Sequence, residues 1–145
     1  MEKIRIKRLR EGAQIPTYGT EYSAGADLYA CLDASASIAP GQTVKIPTGI
    51  ALELPEGTAG LVFARSSLGT KRGLAPANKV GVIDSDYRGE LMVMLHNHGT
   101  ETQTIAHGER VAQLLVVPVF TPGFVEAEEL SDTDRGAGGF GSTGK

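Results

Sequence analysis

The sequence predicts an all-β fold, a sandwich or barrel-like jelly roll, and three observations carry that prediction. Apolar and polar residues alternate with period 2 in several short stretches. Glycine accounts for 19 of 145 residues, about twice its ordinary usage of roughly 7%, which favours turns. No apolar stripe of 3.6-residue period persists for the length of a helix.

The elements follow in order. Ile4 and Ile6 in EKIRIKRL, Val44 and Ile46 in QTVKIP, and Ile50, Leu52 and Leu54 in GIALELP each read as a half-buried strand. Continuous apolar runs at 59–64 (AGLVFA), 90–95 (ELMVML) and 111–120 (VAQLLVVPVF) read as more deeply buried strands. Turn signals separate them: APGQ, LPEGT, HNHGTE, AHGER and TPG. SSLGTKRG has room for one short turn of helix. Many short strands at regular spacing fit a jelly roll. A chain of 145 residues builds one core, since single domains usually run to roughly 100–150. The expected division is a β domain over 1–130 and a mobile arm over 131–145. In that arm, SDTDRGAGGFGSTGK, Phe140 is the one large apolar residue. It buries too little to offset an ordering cost of about 1–2 kcal/mol per residue.

Charge excludes several classes of function. With 14 Lys+Arg against 17 Asp+Glu, the net charge of -3 exerts no overall pull on nucleic acid or an anionic membrane. An anionic ligand therefore needs a local site. The one cysteine, Cys31, forms neither an internal disulfide nor a zinc cluster. The longest late apolar run, 114–120, falls far short of the roughly 18 residues of a membrane span. The expectation is a soluble, cytoplasmic protein.

Two phosphate-loop patterns occur in the arm: Gly136, Gly138 and Gly141 make G-x-G-x-x-G, and Gly139 to Lys145 make G-x-x-x-x-G-K. Both motifs need a following helix to receive phosphate, and no residues follow Lys145 to build one. Successive glycine N–H groups can nevertheless wrap an anion, with Arg135, Ser142 and Thr143 as further donors. GVIDSDYRGE resembles the opening of a calcium loop, but its fifth position is Arg88 and its twelfth is Leu95, which removes the bidentate acid. Read as a hairpin, this segment holds Asp84 where a strand ends and a bend begins, a suitable place for a general base. A solvated acidic turn is the plainer alternative. Asp27, in AGADLYA, enters an apolar stretch alone and could orient a hydrated magnesium ion. A turn-capping aspartate is the commoner reading. Arg65, Ser66 and Ser67 follow a buried-looking strand, a cluster that grips phosphate oxygens or simply forms a basic loop. His96 and His98 share a strand face without a third ligand nearby in sequence.

Taken in order, these stretches resemble the trimeric dUTPase family over nearly the whole chain. AGADLYA, ARSSLG, NKVGVIDSDYRGEL, GERVAQLLV and RGAGGFGSTG are similar to its five motifs. The resemblance implies a β-clip jelly roll that hydrolyses dUTP to dUMP and pyrophosphate. It implies Asp84 as the catalytic aspartate that primes water. It also implies a hairpin slot of Asn78 with main-chain groups of Val82, Ile83 and Met92 against uracil, and Tyr87 against the deoxyribose. Arg65, Ser66, Ser67 and Gln113 would hold the phosphates, with Asp27 orienting Mg2+ through water. Phe140 would cover the base, with Arg135, Ser142 and Thr143 on the phosphates, in a homotrimer whose sites are shared between subunits. The second motif reads Arg-Ser-Ser where the family more commonly has Arg-Ser-Gly. A dCTP deaminase of the same superfamily and a non-catalytic trimeric nucleotide-binding protein are the rival readings. Asp86 and Glu90 receive no role.

Overall fold

The computed structural model describes residues 3–141. Twelve strands and one helix follow one another: β1 (Arg5–Arg8), β2 (Thr17–Tyr18), β3 (Ala26–Tyr29), β4 (Ala36–Ile38), β5 (Thr43–Pro47), β6 (Ile50–Glu53), β7 (Thr58–Phe63), α1 (Ser66–Arg72), β8 (Leu74–Pro76), β9 (Gly81–Ile83), β10 (Met92–Asn97), β11 (Gln103–Ile105) and β12 (Arg110–Pro118). All pairings are antiparallel. The largest sheet has the order β2-β3-β12-β7-β9, a second has β5-β10-β8, and β1-β6 and β4-β11 form ribbons. The expectation of an all-β jelly roll is borne out.

The period-2 pattern shows why the strands lie as they do. Along β10, Val93, Leu95 and Asn97 are buried while Met92 and Met94 are exposed. Val93 and Leu95 join Leu28, Ile38, Ile46, Ile50, Leu74, Leu91, Ile105, Val111 and Leu114 in one core, each such aliphatic side chain contributing about 1.5–3 kcal/mol by leaving water. Asn97 is the polar exception. It donates to the carbonyls of Ile38 and Glu101, both at 2.8 Å, and accepts from Gly99 N at 2.9 Å, so its burial leaves no orphaned group. Cys31 is a buried free thiol.

Three elements differ from the sequence reading. The helix is longer than one turn: α1 spans seven residues and stops at Gly73, whose φ of 64° is left-handed. Tertiary contacts stabilise it, because Arg72 donates to Gln103 Oε1 at 3.0 Å, Glu109 Oε1 at 2.8 Å and the carbonyl of Thr104 at 2.6 Å. The last strand ends at Pro118, leaving Phe120 outside it.

The third difference is a correction. The segment around Asp84 is not a laddered hairpin, since β9 pairs with β7 while β10 pairs with β5 and β8. Each limb finds a better partner elsewhere, and the two diverge into different sheets.

Candidate active site

Two clefts gather most of the predicted residues, one against β3, β12 and the end of β7, the other between β9 and β10. The first, of about 330 Å³, is lined by Gly25, Asp27, Arg65, Ser66, Arg110 and Gln113, among others. Strand register creates it: Gln113 on β12 lies opposite both Asp27 on β3 and Phe63 on β7, and Arg65 follows two residues after Phe63. Asp27 Oδ1 accepts from Arg65 Nε at 2.7 Å and Oδ2 from Arg110 Nη1 at 3.3 Å. Its side chain is 13% exposed, so the carboxylate holds both guanidinium groups facing the cleft. Gln113 Nε2 donates to the carbonyl of Ala64 at 2.9 Å, which leaves its second N–H free. A Cβ at Gly25 would stand 2.6 Å from Gln113 Oε1, so a side chain there would displace the Gln113 amide from its place in the cleft.

Arg110 is the residue that sequence reasoning missed. A bulge between Arg110 and Ala112 interrupts the ladder with β3, and the arginine, nominally opposite Tyr29, reaches Asp27. Its place at the head of a buried run was the available signal. Ser67 is exposed on α1 and is not a wall of this cleft.

The second cleft, of about 210 Å³, is lined by Val82, Ile83, Asp84, Tyr87, Glu90, Leu91 and Met92. It lies between β9, laddered to β7, and β10, laddered to β5 and β8, because the two strands share no ladder with each other. Asp84 follows the last residue of β9 and is exposed, and its carbonyl accepts from Tyr87 N at 3.1 Å to close the bend. Tyr87 folds back over Gly89, its hydroxyl donating to the carbonyl of Glu90 at 3.1 Å. Asn78 stands outside this group, on the exposed turn before β9 where Lys79 has a φ of 66°. Asp86 lines a separate charged groove with Lys3, Arg5, Glu53 and Arg88.

Arg135 and Phe140 lie apart from both clefts. Arg135 Nε donates to the carbonyl of Gly138 at 2.9 Å in a local turn, and Phe140 is exposed. Ser142 and Thr143 lie outside the described residues. His96 and His98 meet edge to face with ring centroids 4.4 Å apart. Desolvation first, then the neighbouring His96, holds the His98 pKa below its ordinary value. Among the described residues, no three His, Cys, Asp or Glu side chains converge on a metal position.

By fold and by site, the chain stands with the all-β enzymes of nucleotide metabolism. A family model described as dUTPase matches residues 11–144, and the chain belongs to the dUTPase family. A deoxyuridine 5'-triphosphate nucleotidohydrolase from Desulfitobacterium hafniense is 52% identical over 143 residues, covering 98% of this chain and 95% of that protein. The dUTPase of Staphylococcus bacteriophage 80alpha, solved with dUPNHPP, superimposes with a TM-score of 0.92 at 28% identity over the full length of both chains. A mutant dUTPase from phage phi11 of S. aureus, described with a structural Mg(II) ion, has a TM-score of 0.81 at 25% identity, covering 88% of this chain and 98% of that one.

Proposed function

We propose that the protein hydrolyses dUTP to dUMP and pyrophosphate, lowering dUTP and supplying dUMP for thymidylate synthesis. One observation carries the reading: an exposed carboxylate, Asp84, lines a cleft with Val82, Ile83, Tyr87 and Met92, between two strands that share no ladder. The Val82, Ile83 and Met92 main chain reads the uracil edge, with Asn78 closing on it. Tyr87 lies under the deoxyribose and excludes a 2′-hydroxyl. Asp84 takes a proton from water as its oxygen bonds to the α-phosphorus. The bond from that phosphorus to the bridging oxygen breaks, and pyrophosphate departs. A positioned base supplies about 10²–10⁴-fold. Stabilising the charge on the phosphates supplies much of the rest, and falls to Arg65, Arg110, Ser66, Ser67 and Gln113.

The donor set fits Mg2+ only as a partner of the triphosphate. Asp27 already accepts from two arginines and, among the described residues, is the one carboxylate that lines its cleft, so it would orient a hydrated ion through water. Bound there, Mg2+ would neutralise phosphate charge.

A homotrimer with shared sites is supported by the separation of the clefts. In strand order β3-β12-β7-β9, the Asp27 edge and the β9 edge lie three spacings apart, roughly 14 Å, and Asp84 lies farther along β9. Gly60 pairs with Ile83, so Arg65 lies about six residues along β7 from Asp84, roughly 20 Å at about 3.3 Å per residue. That separation favours phosphates held by Arg65 meeting the Asp84 of another subunit. Phe120, Phe124, Val125 and Leu130 are also almost fully exposed on the single chain, apolar surface that a neighbouring subunit would cover. The glycine-rich arm, 131–145, would close over nucleotide from a third subunit, Phe140 on the base and Arg135, Ser142 and Thr143 on the phosphates, while residues 1–130 form the body. No helix among the described residues is long and apolar enough to cross a membrane, and the free Cys31 thiol suits a cytoplasmic setting. Incubation with dUTP and magnesium tests the reading. Pyrophosphate release supports it, whereas ammonia from dCTP, or no product, refutes it.

A further inference from the structure

We propose that Glu90, together with Arg10, is a positioning residue that fixes the width of the base slot and thereby its discrimination between uracil and a 5-methylated pyrimidine. The inference rests on the reading of that slot as the uracil site. Its basis is the way the two limbs are held. The incoming limb, β9, is fastened to β7 through the pairs Gly60 with Ile83 and Leu61 with Val82. The outgoing limb, Glu90 to Met92, shares no ladder with β9 and is fastened from behind to the turn between β5 and β6. Thr48 donates to the carbonyl of Leu91 through its amide at 3.1 Å and its hydroxyl at 2.7 Å, and Leu91 N donates to the carbonyl of Ile50 at 2.9 Å.

Glu90 completes this fastening at the end nearest Tyr87. Its Oε1 accepts from Gly49 N and from Arg10 Nε, both at 2.8 Å, and its Oε2 accepts from Arg10 Nη2 at 3.1 Å. The side chain is only 14% exposed, so these three donors meet a carboxylate largely withdrawn from water, where charge-assisted bonds are strong. The turn that presents the Gly49 amide cannot shift cheaply. Gly49 has a φ of 71°, and a Cβ there would stand 2.8 Å from the Ala13 Cβ and 3.0 Å from the Cys31 Sγ. The hydrogen bond to Glu90, then its negative charge, raises the Arg10 pKa above its ordinary value. The carbonyl of Glu90 also receives the Tyr87 hydroxyl. One residue thus ties the outgoing limb to the body and the tyrosine to the limb, and no ladder between the limbs would replace it.

The test compares kcat/KM for dUTP and for dTTP in the full-length protein, its Glu90→Ala, Glu90→Gln and Arg10→Ala variants, and the double alanine variant, with a thermal midpoint for each. A rigid apolar pocket discriminates one methyl group by about 10–200-fold, so loss of the clamp should lower the dUTP/dTTP ratio by about tenfold in Glu90→Ala. Arg10→Ala should shift the ratio in the same direction, and the double variant should do no more than Glu90→Ala alone. Glu90→Gln, whose amide oxygen still accepts, should recover most of the ratio. A lowered midpoint with an unchanged ratio, both substrates slowing in proportion, would overturn the inference. So would fully additive effects of Arg10→Ala and Glu90→Ala. If Glu90→Ala does not fold, the exposed Arg10→Ala substitution carries the same comparison. A wild-type protein inert on dUTP would remove the underlying uracil reading and the inference with it, an outcome distinct from an active enzyme with an unshifted ratio.

Discussion

Asp84 and Glu90 lie six residues apart with the same charge, yet their surroundings give them different work. Asp84 is exposed at the mouth of the slot, whereas Glu90 is turned inward onto Arg10 and the Gly49 amide. Asp84→Asn keeps the shape but not the basicity. It should bind a non-hydrolysable dUTP analogue normally while losing about 10²–10⁴-fold in kcat; near-normal turnover would remove the base role. Gly89 offers a second measurement. A Cβ there would stand 2.3 Å from the Tyr87 hydroxyl, so Gly89→Ala must push that flexible ring out of the slot. Hydrolysis of UTP relative to dUTP should then rise by about tenfold, as expected when a steric filter opens. An unchanged ratio would show that Tyr87 does not guard the sugar. Among the three acids of the bend, the sequence singled out Asp84 by its place at a strand end. It could not assign Glu90, whose partners are 80 and 41 residues away in the chain.

At the scale of elements, the strands were legible and their pairings were not. Period-2 alternation marked β1, β5 and β6, a local property, whereas the apolar run at 90–95 read as more deeply buried although Met92 and Met94 are exposed along β10. Partner choice is not local, so the apparent hairpin around Asp84 proved to be two strands in different sheets. The helix illustrates the same limit. SSLGTKR has a glycine within it and no side-chain cap at its start, so propensity alone supports little helix; the Arg72 contacts to β11 and its flanks extend it. Gly73 ends it with a left-handed φ, and a Cβ at that position would stand 2.8 Å from Gly99 N. Gly73→Ala should therefore cost roughly 1–3 kcal/mol, read as a lower urea midpoint. A variant as stable as the parent would show that this junction is not constrained.

At the scale of the whole molecule, the core cluster draws on residues from Ala13 to Leu114, and residues 118–137 are exposed throughout. Truncation after Leu130 should leave the thermal midpoint nearly unchanged, because none of residues 131–141 is buried. It should abolish dUTP hydrolysis, and full activity in the truncated protein would exclude a role for the arm. Light scattering should return three times the mass of one chain. A fully active monomer would contradict the shared-site proposal, since Asp84 and Arg65 lie beyond opposite ends of the neighbouring strands β9 and β7.

The sequence by itself determined the all-β class and, through five ordered motifs, the family, because alternation, turn chemistry and motif order are properties of neighbouring residues. Only the tertiary structure decided that Arg110 joins Arg65 on Asp27, that Glu90 binds Arg10 and the Gly49 amide, and that the cleft beside Asp84 lies between two sheets. Those facts depend on register and on contacts between residues tens of positions apart, which no local pattern encodes.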